Sequence, residues 1–125
     1  MFDPIQAGSA GKTGAPHFAS TIYVYVWRFE IKAGHEVWFE RIYGANGDWV
    51  RLFRLAEGYL STELFKDLNR PGHYWTIDKW VSESSYETFR KAFISEFNQL
   101  DQSCEQLTEN EFFLGRFVGL KAQTD

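Results

Sequence analysis

The chain has 125 residues, 24% of them charged and 18% aromatic, and a formal net charge of −4. That length suits one domain, which buries roughly two thirds of its unfolded surface and needs no disulfide or metal staple. No cluster of Lys or Arg stands out, which argues against nucleic acid as a partner; no apolar run reaches membrane-span length, and the single Cys104 excludes an internal disulfide.

Residues 1–20, MFDPIQAGSAGKTGAPHFAS, are rich in Gly, Ala and Ser and lack periodicity, so they read as a flexible arm. They carry neither the basic start nor the apolar stretch of a signal peptide, and the expected location is the cytoplasm. Gly11-Lys12-Thr13 resembles the end of a phosphate loop, but Gln6 stands where the earlier glycine belongs.

Thr21–Lys32 predicts a strand with Tyr23, Tyr25, Trp27 and Phe29 on one face and Ile22, Val24 and Val26 on the other. Apolar residues on both faces require cover on both. Ala33-Gly34 breaks this strand, and His35–Tyr43 predicts a helix with Trp38 and Ile42 inward. Gly44 and Gly47 make a loop. Asp48 is placed to cap a second helical piece, Trp49–Leu55, with Trp49, Leu52 and Phe53 as its apolar stripe. Gly58–Lys66 alternates as a strand, Asn69-Arg70-Pro71-Gly72 reads as a turn, and His73–Val81 is the second arm of an antiparallel hairpin. Ser82 or Ser84 caps a long helix to about Leu107, with Tyr86, Phe89, Phe93, Phe97, Leu100 and Cys104 spaced three and four apart. Thr108–Leu120 closes the domain of residues 21–120 as a strand, and residues 121–125 form a tail.

Strand, helix, strand, strand, helix, strand is the split βαβ, ferredoxin-like order, an α+β fold. It predicts a four-stranded antiparallel sheet with helices on one face. The other face still carries apolar side chains, and the simplest cover is a second copy, sheet against sheet. A homodimer is therefore expected.

Tyr74–Phe89, YWTIDKWVSESSYETF, carries the densest chemistry. Trp80 ends a strand, and Tyr86 and Phe89 lie on the helix that follows. A large aromatic at a strand end, facing aromatics on a helix, can wall a pocket for a flat apolar ligand. By two-residue alternation Asp78 and Tyr74 share a strand face with Trp80. Asp78 is a candidate buried carboxylate of raised pKa. Each residue also has a packing role to set beside this, because buried aromatics commonly serve the core. His35-Glu36 lacks the second histidine of a zinc helix, Phe39 standing in its place, and His17, His35 and His73 share no ligand spacing, so no metal is expected.

The element order, GDWVRLF (Gly47–Phe53), EGYLSTELFKD (Glu57–Asp67) and above all Tyr74–Phe89 resemble the antibiotic biosynthesis monooxygenase family, of the dimeric α+β barrel group. The resemblance spans roughly Ile22 to Leu120 on the split βαβ template. It implies oxidation of phenols or quinols with molecular oxygen and no cofactor, or, in other members, haem degradation. Haem degraders use a strand asparagine, a strand-end tryptophan and a helix histidine. Trp80 matches the tryptophan, but Arg28 and Arg90 stand at about the other two positions. The phenol oxidisers use a strand-end tryptophan, a helix tyrosine and a later arginine. Trp80 and Tyr86 match, while Leu100 falls near the arginine. The resemblance thus implies Trp80 and Tyr86 as catalytic residues, and the strand alternation adds Asp78 to them. Trp27, Trp49, Phe53, Tyr74, Phe89, Arg90 and Phe93 are then expected around a small aromatic substrate. The alternative is a non-catalytic dimer that binds a small aromatic or apolar ligand.

Overall fold

The computed structural model describes residues 22–120; the expected arm over 1–20, with Gly11-Lys12-Thr13 and His17, and the tail over 121–125 lie outside the described residues. In chain order come β1 (Ile22–Ile31), α1 (Glu36–Tyr43), α2 (Asp48–Phe53), β2 (Tyr59–Lys66), β3 (His73–Trp80), α3 (Glu83–Ala92), α4 (Ile94–Cys104) and β4 (Thr108–Gly119), with one 3-10 turn, Glu105–Leu107, before β4. The strands pair antiparallel in the order β2-β3-β1-β4. This is the ferredoxin-like α+β arrangement expected from the sequence.

The alternation in β1 and β3 builds the core. Register sets Tyr23 opposite Trp80, Tyr25 opposite Asp78, Trp27 opposite Thr76 and Phe29 opposite Tyr74. All eight are buried, on the helix-facing side of the sheet. Aromatic rings fill the space between the layers: Phe29 packs on Phe39 and Tyr43 of α1, and Phe53 of α2 packs on Trp80.

Three local expectations change. Trp38 is 55% exposed, and Phe39 and Tyr43 point inward instead. Asp48 does not cap α2; its carboxylate takes a hydrogen bond from Arg51, and Gly47 holds the N-cap position. The long helix is two. It breaks at Phe93, whose φ of −116° and ψ of 30° leave the helical range, although the backbone N–H of Phe93 still reaches Phe89.

Three register shifts rephase the edge strands, one in β2 and two in β4, of which the second in β4 falls between the Glu30–Asn110 and Ile31–Thr108 pairs. In β2, Tyr59 pairs with Trp80 and Ser61 with Lys79, so Leu60 is the extra residue. In β4, Phe113 pairs with Trp27 and Gly115 with Val26, so Leu114 is extra. The outer sheet face keeps the apolar side chains that the sequence required. Phe65, Trp75 and Phe117 are 42–50% exposed there, and the Arg28 guanidinium lies 4.0 Å over the Phe112 ring.

Candidate functional site

Trp80 ends β3 between Tyr23 of β1 and Tyr59 of β2. The chain turns at once into α3, because the Ser82 hydroxyl accepts the Ser85 backbone N–H at 3.0 Å and caps the helix. That cap brings Tyr86 round in the first turn and Phe89 in the next. Their ring centroids lie 5.3 and 5.2 Å from Trp80, with Tyr59 at 5.3 Å and Phe53 at 5.7 Å. Such contacts contribute about 0.5–1.5 kcal/mol each beyond burial. Four rings on three sides leave Trp80 with 0% exposure.

Polar groups run along the same strand face. Asp78 is 1% exposed, and the Thr62 hydroxyl donates to its Oδ1 at 2.5 Å. The Tyr59 hydroxyl donates in turn to Thr62 Oγ1 at 2.8 Å. Burial pushes the Asp78 carboxyl up to about 7, with the Thr62 hydrogen bond pulling the other way. Asp78 Oδ2, Trp80 Nε1 and Thr76 Oγ1 are buried and have no hydrogen-bond partner among the described residues. Buried polar atoms are nearly always paired, so three such atoms on alternate residues of one strand make this face the candidate site, although neither hollow described next is lined by them. The set offers an acceptor that can take a proton, an indole donor and a hydroxyl.

Two surface hollows reach toward this interior. One, of about 240 Å³, is lined by Ile22, Tyr23, Val81, Ser82, Phe117 and Val118, with the Arg116–Glu83 ion pair at its wall. The other, of about 370 Å³, lies between Leu55 and Ala56 on one side and Ser85, Thr88 and Phe93 on the other, with Phe89 in its lining. Tyr23 in the first hollow lies 5.8 Å from Tyr86. Each hollow thus has in its lining one ring that packs on a member of the Trp80 cluster, Tyr23 in the first and Phe89 in the second.

The family model described as antibiotic biosynthesis monooxygenase matches residues 22–101. The chain belongs to that family. No curated protein matches the chain. Among solved structures, a Pseudomonas aeruginosa protein is 16% identical, with 86% of this chain and 100% of that one covered and a TM-score of 0.56. A Bordetella bronchiseptica protein described as a putative antibiotic biosynthesis monooxygenase is 17% identical (82% and 98% covered, TM-score 0.56). SnoaB of Streptomyces nogalater, described as a cofactor-independent oxygenase, is 17% identical (82% and 95% covered, TM-score 0.51). These likenesses establish the fold.

Within the family fold, the residues singled out from the sequence separate into groups. Trp80, Tyr86, Phe89, Phe53 and Asp78 converge, and Phe93 packs on Phe89 at 5.5 Å. Tyr74 sits at the opposite end of β3, where its hydroxyl donates to Glu40 Oε2 at 2.5 Å beside Lys66. Burial and the Glu40 carboxylate drive the Tyr74 hydroxyl well above its ordinary pKa. Trp27 packs on Phe113 at 5.3 Å, and Trp49 on Phe97 at 5.0 Å. The Arg90 guanidinium lies 3.7 Å over the same Phe97 ring, beyond Phe89 from Trp80. Thr62, Tyr59 and Thr76 were not anticipated. For Thr62 and Thr76 the signal was available, since each is a polar residue on the apolar face of its strand. No group of three or more His, Cys, Asp or Glu gathers at metal-binding distance among the described residues. No described helix is long and apolar enough to cross a membrane.

Proposed function

We propose that this family member is a cofactor-independent monooxygenase or quinol oxidase acting on a small phenol- or quinol-type aromatic. The observation that carries the reading is the buried trio Asp78 Oδ2, Trp80 Nε1 and Thr76 Oγ1, unpartnered among the described residues, beside Tyr86 in an aromatic interior. Such an enzyme needs a dry apolar enclosure, a base for the substrate hydroxyl and a donor for reduced oxygen. Asp78 takes the hydroxyl proton on Oδ2. The resulting phenolate is electron-rich enough to reduce oxygen, and Trp80 Nε1 and the Tyr86 hydroxyl supply donors to the oxygen anion. In monooxygenation one oxygen atom enters the ring to give the quinone and the other leaves as water. A quinol instead gives up two electrons and two protons, and oxygen leaves as hydrogen peroxide. Asp78 returns its proton to the reduced oxygen, so the carboxyl ends as it began.

The ring wall around Trp80 is closed, so a substrate enters by displacing Phe89 or Tyr23 at one of the two hollows. Binding without turnover is the second reading. It is favoured by Leu100, an apolar residue near the place where phenol-oxidising members carry an arginine.

A homodimer formed through the outer sheet face completes the proposal. Phe65, Trp75, Phe112 and Phe117 together make an apolar surface that a second sheet would cover.

The test is oxygen uptake by purified protein over a panel of phenols and quinols. Turnover above buffer by wild type, lost in Trp80→Phe and Tyr86→Phe, supports the enzyme reading. Saturable binding of the same compounds with no uptake supports the binding module. Neither uptake nor binding removes both.

A further inference from the structure

Tyr59 and Thr62 are three apart in β2, a spacing that would put them on opposite faces of a regular strand. The bulge at Leu60 cancels that difference. Tyr59 then stands opposite Trp80, and Thr62 opposite Asp78, on one face. The hydroxyl chain Tyr59 to Thr62 to Asp78 Oδ1, at 2.8 and 2.5 Å, is the product. Its polarity is forced when Asp78 is ionised. A carboxylate only accepts, so Thr62 spends its one proton on Oδ1 and must itself accept from Tyr59. The chain ends at the half-buried Tyr59 on an edge strand, and Oδ2 is left over at the other end.

We propose that Thr62 and Tyr59 are positioning residues for Asp78, holding one carboxyl oxygen from the sheet edge and leaving the other to accept the acidic hydroxyl of a ligand. The inference rests on the oxidation reading for its ligand class, and on the hydrogen bonds alone for its geometry. Among the described residues, the other groups named around the carboxyl are neutral. Tyr25 faces it from β1, Thr76 and Trp80 flank it on β3, and Tyr86 of α3 packs over Tyr25 and Trp80. Arg54, at the end of α2, acts electrostatically on the Tyr59 hydroxyl. Among the described residues no charged partner stabilises the Asp78 carboxylate, so the Thr62 hydrogen bond is what favours the ionised form.

The experiment follows the Asp78 carboxyl by infrared difference spectroscopy against pH, with Asp78→Asn identifying its band. The full chain is used, as wild type, Thr62→Val, Thr62→Ser and Tyr59→Phe. Thr62→Val is expected to raise the protonation midpoint by about one pH unit, tenfold in the acid constant, because a hydrogen bond to the charged form is lost. Thr62→Ser restores the wild-type midpoint, and Tyr59→Phe shifts it part of the way. In oxygen uptake, the acid limb of kcat/KM moves by the same amount in Thr62→Val. An unmoved midpoint in a folded Thr62→Val protein overturns the proposal, as does a Thr62→Ser protein that behaves like Thr62→Val. A midpoint that moves as expected while no compound is oxidised supports the positioning role and removes the oxidation reading alone.

Discussion

The Tyr59 and Trp80 rings meet edge to face across the β2–β3 ladder with centroids 5.3 Å apart, while the Tyr59 hydroxyl reaches to Thr62. One residue thus walls the tryptophan with its ring and feeds the carboxyl with its oxygen. The apolar and polar halves of the candidate site are built from the same short stretch of strand.

Replacing Trp80 by Phe keeps an aromatic wall and removes the indole donor. If that donor stabilises reduced oxygen, turnover should fall by about 10²-fold, the usual cost of one oxyanion donor. Stability should fall by about 1–3 kcal/mol through the smaller ring. Oxygen uptake alongside a urea melt separates the two, because a packing role alone would lower stability and spare the rate of the folded fraction.

Asp78 makes stability depend on pH in an unusual direction. Its folded carboxyl holds a proton up to about 7, against an ordinary value of 3.8. Between these two values the unfolded chain ionises and the folded one does not, so the native state binds more protons there. Stability should therefore fall as pH rises from about 4 to about 7, by up to about 4 kcal/mol on this group's account. Asp78→Asn keeps an acceptor for Thr62 and should flatten that slope. Melts at half-unit steps would show it, and parallel wild-type and mutant curves would exclude the effect.

Gly58 has a φ of +92°, and a Cβ built there would lie 2.6 Å from Ser85 Oγ. Its carbonyl also accepts the Val81 N–H at 2.8 Å. Gly58→Ala should cost about 1–3 kcal/mol, through backbone strain and displacement of the first turn of α3. Ser85→Gly in the same chain removes the contacts with Ser85 and leaves the strain and the 3.0 Å approach to Val81, so the double mutant should recover part of the loss in chemical denaturation.

The outer sheet face predicts an assembly that charge can break. Wild type should sediment as a dimer at micromolar concentration, and Trp75→Glu with Phe117→Glu as a monomer. A monomeric wild type would instead leave the apolar face to another partner.

The strands and their order were legible because alternation has one answer once a face is apolar. The helices were less so. In α1, Trp38 with Ile42 and Phe39 with Tyr43 are both pairs four apart, and periodicity cannot choose between them. The break at Phe93 hid for a related reason: Phe89, Phe93 and Phe97 keep perfect four-residue spacing across it. Asp78 and Trp80 could be placed on one face by counting along β3. Tyr59 could not be joined to Thr62 that way, because the bulge at Leu60 changes the count and nothing in the local residues announces it.

The break at Phe93 makes the covering layer two spans rather than one beam. α4 is anchored to α2 through Trp49 on Phe97, and α3 rests on the end of β3 through Tyr86 and Phe89. A single stiff helix would transmit any tilt along its whole length. With the break, α3 alone supplies the two helix rings over Trp80, and it meets α4 through Phe89 on Phe97.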